Sequence, residues 1–150
     1  MSKAVVTIFA MATLLWSGCG GQKAAVPAHL HEAVPPHGGT PVALGDDYQI
    51  EWVLNAPAGK LQAYFLDGEM ENFLRIAAPS FDVTASVPGH KETLHMAAIA
   101  NNATGETVGD TSLFEIQNDW LKTNNTFRVV ISKIEVKGMT FSNIDFILSK

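Results

Sequence analysis

Between Tyr48 and Leu148, apolar side chains recur at every second position in one short run after another, and no stretch of comparable length shows the 3.6-residue period of an amphipathic helix. Successive side chains of a strand point to opposite faces, so this period fits strands with one buried face. Tyr48, Ile50, Trp52 and Leu54 alternate with Gln49, Glu51 and Asn55, and Val53 alone breaks the pattern. The segment Asn55 to Gly59 reads as a turn. A second apolar run, Leu61 to Leu66, ends in Asp67-Gly68, a two-residue turn signal. Phe73 to Ile76 reads as a short strand before Pro79. Phe81, Val83, Ala85 and Val87 alternate with Asp82, Thr84 and Ser86. Pro88-Gly89 interrupts before Leu94, Met96 and Ala98 resume, which predicts a hairpin. Asn101 to Asp110 is a polar loop, Leu113 to Ile116 a further strand, and Asn118 a cap for one helical turn through Trp120 and Leu121. Phe127, Val129 and Ile131 share one parity, whereas Ile134 and Val136 take the other, which predicts a bulge. Ile144, Phe146 and Leu148 form the last strand.

Seven or eight short strands separated by turns define the expected fold class: all-β, an antiparallel Ig-like β-sandwich, with a small barrel as the alternative. The chain has 150 residues, enough for one domain, with 15 acidic and 10 basic side chains. Its net charge of −5 argues against a nucleic-acid surface, and its single cysteine excludes a disulfide within the chain.

The amino end has a different character. Met1-Ser2-Lys3 is a short positive start, and Ala4 to Trp16 carries no charge. That apolar run falls short of the roughly 20 residues that span a bilayer as a helix, so it reads as a secretion signal. Leu15, Ser17, Gly18 and Cys19 resemble the lipobox of bacterial lipoproteins. The resemblance implies cleavage before Cys19 and acylation of its thiol, which anchors the chain to a membrane. Gly20, in place of an Asp after the acylated Cys, implies by that family's sorting rule the periplasmic face of the outer membrane. The expected organisation is a signal peptide over 1–18, a flexible lipidated tether over 19–36 and a folded domain over 37–150. The tether contains Gly20-Gly21, Pro27 and Pro35-Pro36 and lacks apolar periodicity.

Three of the five histidines, His29, His31 and His37, lie at or near the tether. Imidazole nitrogens suit Cu²⁺ or Zn²⁺, so these three are candidate metal ligands, against the simpler reading of a solvated segment. His90 and His95, with the thioether of Met96 as a softer donor, form a second candidate set that His37 would join if strand edges meet. Asp67, Glu69 and Glu71 read as a solvated acidic loop, because they lack a full calcium-loop pattern. No G-x-S-x-G, H-E-x-x-H, phosphate-binding or dinucleotide-binding motif occurs, so no catalytic residue is assigned and the expected mode of action is binding, not catalysis.

The run Pro36-His37-Gly38-Gly39-Thr40-Pro41-Val42, with Leu44-Gly45-Asp46, Tyr48 to Leu54 and Leu61 to Asp67, resembles small bacterial envelope lipoproteins. Residues 36 to 67 are also similar to the amino-terminal segment of some periplasmic adaptors of heavy-metal efflux pumps. The resemblance implies a β-rich periplasmic domain and a part in copper or zinc handling, with His37 on the shared pattern. The expected partners are the membrane, through acylated Cys19, and an envelope protein or efflux component. The alternative is a structural or protein-interaction lipoprotein with no metal role.

Overall fold

The structure, a computed structural model, describes residues 34–150. The signal segment, Cys19, His29 and His31 lie outside the described residues. Eight strands follow in order: β1 (Thr40–Leu44), β2 (Tyr48–Asn55), β3 (Lys60–Asp67), β4 (Ser80–Val87), β5 (His90–Ala98), β6 (Leu113–Gln117), β7 (Thr126–Val136) and β8 (Met139–Ser149). They form one antiparallel sheet in the order β1-β2-β3-β6-β5-β4-β7-β8. The expected all-β antiparallel architecture of seven or eight strands is therefore the observed one. The sheet curls until β1 and β8 come into contact, so it is nearly closed. Its shortest pairing is β5 with β6, Ala97 with Glu115 and Ala98 with Phe114.

The period-two pattern explains the core. Leu44, Ile50, Trp52, Leu61, Ala63, Phe65, Val83, Ala85, Leu94, Met96, Phe114, Val129 and Ile131 are all buried within one cluster. Trp52 lies 5.4 Å from Phe146 on β8 and 6.4 Å from Phe81 on β4, centroid to centroid. Phe65, Phe81 and Phe114 form a mutually edge-on triangle at 5.1 to 5.8 Å. Such contacts contribute about 0.5–1.5 kcal/mol per pair beyond area burial. The Trp52 indole N–H is buried without a hydrogen-bond partner among the described residues.

Several expectations change in detail. Thr40–Leu44 is a strand, although Pro41 and Gly45 obscure it in the sequence. Phe73 to Ile76 is no strand of the sheet, and meets it only through isolated bridges, Leu66 with Phe73 and Ile76 with Thr111. The Asp67-Gly68 turn opens into a loop, because Asp67 accepts hydrogen bonds from the amides of Glu71 and Asn72 and from the Asn72 side chain. Those bonds hold Met70 in a left-handed conformation, φ 59°, with its side chain buried. Asn118 does cap one helical turn, Asp119–Lys122, by accepting from the Trp120 amide at 2.8 Å.

The parity switch in β7 is real, but its origin differs from a one-residue insertion. Both neighbours Ser132 and Lys133 are exposed, and on β8 both Ser142 and Asn143 are exposed. The β7–β8 register is nonetheless the same on either side, from Ile131 with Ile144 to Lys133 with Ser142. The two strands exchange faces together, and Asn143 takes up the change with φ 55°. Asn is among the few residues that tolerate this conformation.

Candidate functional site

The site begins with a turn that folds back over the sheet. The Gly38 amide donates to the Pro35 carbonyl at 3.1 Å, and Gly38 has φ +68°. This turn lays His37 over the outward face of β2 and β3, where Glu51 and Tyr64 occupy directly paired positions. Alternation places Glu51 on the polar face, yet it has no exposed surface because the His37-Gly38-Gly39 segment covers it. One Glu51 oxygen, Oε1, accepts from the His37 and Gly39 amides, each at 2.8 Å. The other, Oε2, lies 2.8 Å from His37 Nδ1. Two alternate main-chain N–H groups, either side of Gly38, thus converge on one carboxylate oxygen of the same protein. Gly39 is required by close approach, since a Cβ there would lie 2.4 Å from the Trp52 carbonyl oxygen and 2.9 Å from the Glu51 side chain.

A carboxylate has lone pairs and no proton to give, so the Nδ1–H of His37 is the donor, and in the neutral ring the lone pair falls to Nε2. The ring lies parallel to Tyr64, centroids 3.8 Å apart, and tilted against Phe73 at 5.8 Å. Its side chain remains 35% exposed. Burial first, then the nearby charges of Glu51 and Glu115, push the Tyr64 hydroxyl above its ordinary pKa.

His37, Tyr64 and Phe73 form one wall of an open cleft of about 500 Å³ that continues to Arg75, Glu106 and Ser112. Glu106 is buried, and its Oε1 accepts from the Ser112 amide at 2.9 Å and the Ser112 hydroxyl at 2.6 Å, while Oε2 accepts from the Thr104 hydroxyl at 2.7 Å. Burial opposes ionisation of Glu106, but these hydrogen bonds and the charge of Arg75 outweigh it and hold the carboxyl below its ordinary pKa. Arg75 donates to Asp110 at 3.1 Å and to the Thr104 carbonyl at 2.5 Å.

The other histidines have separate partners. His90 begins β5, stacks on Trp120 at 5.9 Å and lies 3.4 Å from Glu92. His95 sits opposite Asp82 on β4, with Nδ1 2.7 Å from its carboxylate, and is exposed. Met96 is fully buried in the core. Among the described residues no three His, Cys, Asp or Glu side chains are grouped to hold a metal ion. His37 is thus the candidate ligand whose carboxylate partner is buried, whereas His95 and Asp82 are both exposed. Glu51, Tyr64, Phe73 and Arg75 were not singled out in the sequence. The signal that marks Glu51 is its place in the alternation of β2, a lone carboxylate opposite a glycine pair that can reach it.

Neither a family model, nor a curated protein, nor a solved structure matches the chain. What defines the molecule is its own architecture: a nearly closed eight-stranded sheet bearing a buried carboxylate–histidine pair at the mouth of a surface cleft.

Proposed function

We propose that this protein is a lipid-anchored module of the cell envelope that works by binding, and that the ligand of its His37 site is Cu²⁺ or Zn²⁺. One observation supports the metal reading: Glu51 Oε2 lies 2.8 Å from His37 Nδ1, so that Nε2 is the ring nitrogen left for a ligand. Metal-bound histidines commonly have this arrangement, because a carboxylate on the other nitrogen sets the tautomer and raises ligand basicity. In this reading His29 and His31 supply the further nitrogens and acylated Cys19 keeps the site near the lipid surface. Titration calorimetry of the full chain in detergent tests it, with Cu²⁺ and Zn²⁺ added to wild type, His37→Ala and the double variant His29→Ala/His31→Ala. The expected dissociation constant is below about 10 μM, which corresponds to roughly −7 kcal/mol. Weaker binding, or binding indifferent to His37, overturns the metal reading.

The second reading is an interaction lipoprotein that holds another envelope protein. Ile147, large, apolar and 58% exposed on the edge strand β8, favours it. Crosslinking in intact cells with a photoreactive residue at position 147 tests it, and recovery of the uncrosslinked monomer alone refutes it.

A further inference from the structure

The cleft beside His37 is lined by groups whose hydrogen-bonding capacity is unevenly used. Glu106 in its lining, and Glu51 buried beneath His37, are occupied by the chain itself: each of their oxygens already accepts at least one hydrogen bond at 2.9 Å or less. Neither is a ready acceptor for a guest. Arg75 differs. Its partner Asp110 is 56% exposed and Arg75 itself 39% exposed, so theirs is a surface ion pair worth only about 0–1 kcal/mol. With Nη2 held on the Thr104 carbonyl, Nη1 of Arg75 is therefore the charged donor in the cleft most easily turned from Asp110 to an incoming carboxylate. The same cleft is lined by aromatic rings: Phe73 is 51% exposed, and its ring lies 6.2 Å from Tyr64, on which His37 stacks at 3.8 Å. At about 500 Å³ the cleft is of small-ligand size.

We propose that this cleft is a binding site for a small organic carboxylate with an aromatic or apolar body: Phe73 and the His37–Tyr64 stack cover the body, and Arg75 exchanges Asp110 for the carboxylate. The site goes beyond metal binding and needs no metal. Its failure therefore leaves the metal reading standing, and the reverse also holds.

The test uses the full chain in detergent with a chelator present and three probes that share one hydrocarbon body: 3-phenylpropanoate, 3-phenylpropan-1-ol and 3-phenylpropylamine. Binding is followed by NMR through the ring resonances of Tyr64 and Phe73. The carboxylate is expected to saturate these shifts in the millimolar range or tighter, and the alcohol and amine to bind at least about tenfold more weakly, as loss of one charge-assisted bond requires. Arg75→Gln is expected to weaken the carboxylate about tenfold and to leave the alcohol unchanged. Asp110→Asn, which removes the competitor and leaves the fold untouched at an exposed position, is expected to tighten it about threefold. An amine that binds as well as the carboxylate overturns the proposal. So does a carboxylate affinity unchanged in both variants, or the lack of saturation up to about 10 mM, a free energy weaker than that of any useful site.

Discussion

Replacing Glu51 by Gln separates two consequences of the same side chain. The wild-type carboxylate accepts three hydrogen bonds at 2.8 Å with no exposure to water. In Glu51→Gln the side-chain carbonyl is the group able to accept from the two backbone amides that converge on Oε1. The NH₂ group must then face His37 Nδ1, and since it can only donate, Nδ1 must become the acceptor. The ring proton is forced onto Nε2, the nitrogen assigned to the metal. Shape is conserved and two bonds persist to a neutral acceptor, so the stability cost is about 1–1.5 kcal/mol, or about 4–6 °C in Tm for a domain of this size. Glu51→Ala loses all three bonds and leaves buried donors unpaired, a cost of about 3–4 kcal/mol and about 12–16 °C. Metal affinity in Glu51→Gln is expected to fall about 10- to 100-fold while the fold survives. Calorimetry gives the Tm values, and a long-range ¹⁵N–¹H spectrum of the His37 ring reports the tautomer directly. A wild-type ring protonated on Nε2, or a Glu51→Gln variant with an unmoved proton, would refute the reasoning, as would a Glu51→Ala protein within about 2 °C of wild type.

The two glycines after His37 differ in what they require. Gly39→Ala drives a Cβ into the Trp52 carbonyl and is expected to destabilise by about 2–4 kcal/mol, whereas Gly38→Ala meets no atom within 4 Å and costs only the left-handed backbone, about 1–2 kcal/mol; chemical denaturation distinguishes them. Acid unfolding follows from Glu106 and Asp67, whose pKa values both lie below their ordinary ones in the fold, Asp67 chiefly through the Asn72 side chain. Their stabilisation is complete above the unfolded values near pH 4, approximately, and is lost as pH falls through the folded values. Glu106→Gln should therefore lower stability at pH 7 and flatten its decline below about pH 4.5, measured by urea titration, with a smaller effect for Asp67→Asn, since Asp67 is less buried than Glu106. Finally, Cys19→Ser is expected to move the protein from the membrane to the soluble fraction and to abolish incorporation of labelled palmitate; retention in the membrane removes the anchor.

How much of this was legible in the sequence depends on the range of the forces involved. Alternation showed where β2, β4, β5 and the β7–β8 pair lie, because burial of one sheet face acts on every second residue and needs no knowledge of the neighbouring strand. Asn118 showed its cap for the same local reason. Strand β1 was not legible, since Pro41 is tolerated only because β1 is an edge. Nor was the loop after Asp67, where side-chain hydrogen bonds outcompete a hairpin turn.

The site divides along the same line. The sequence by itself determined the class of fold, the acidic balance and the presence of a histidine beside two glycines. Only the tertiary structure decided that Glu51, nominally on a solvent face, is buried beneath that turn, that it fixes the tautomer of His37, and that Tyr64, Phe73 and Arg75 complete a cleft. Glu51 is 14 residues from His37 in sequence, and Ser112 enters the cleft from just before β6, a strand distant in the chain that pairs with β3. Contacts of that kind exist only once strands have paired, because they depend on which positions face one another across the sheet, and a period of two residues carries no information about that pairing.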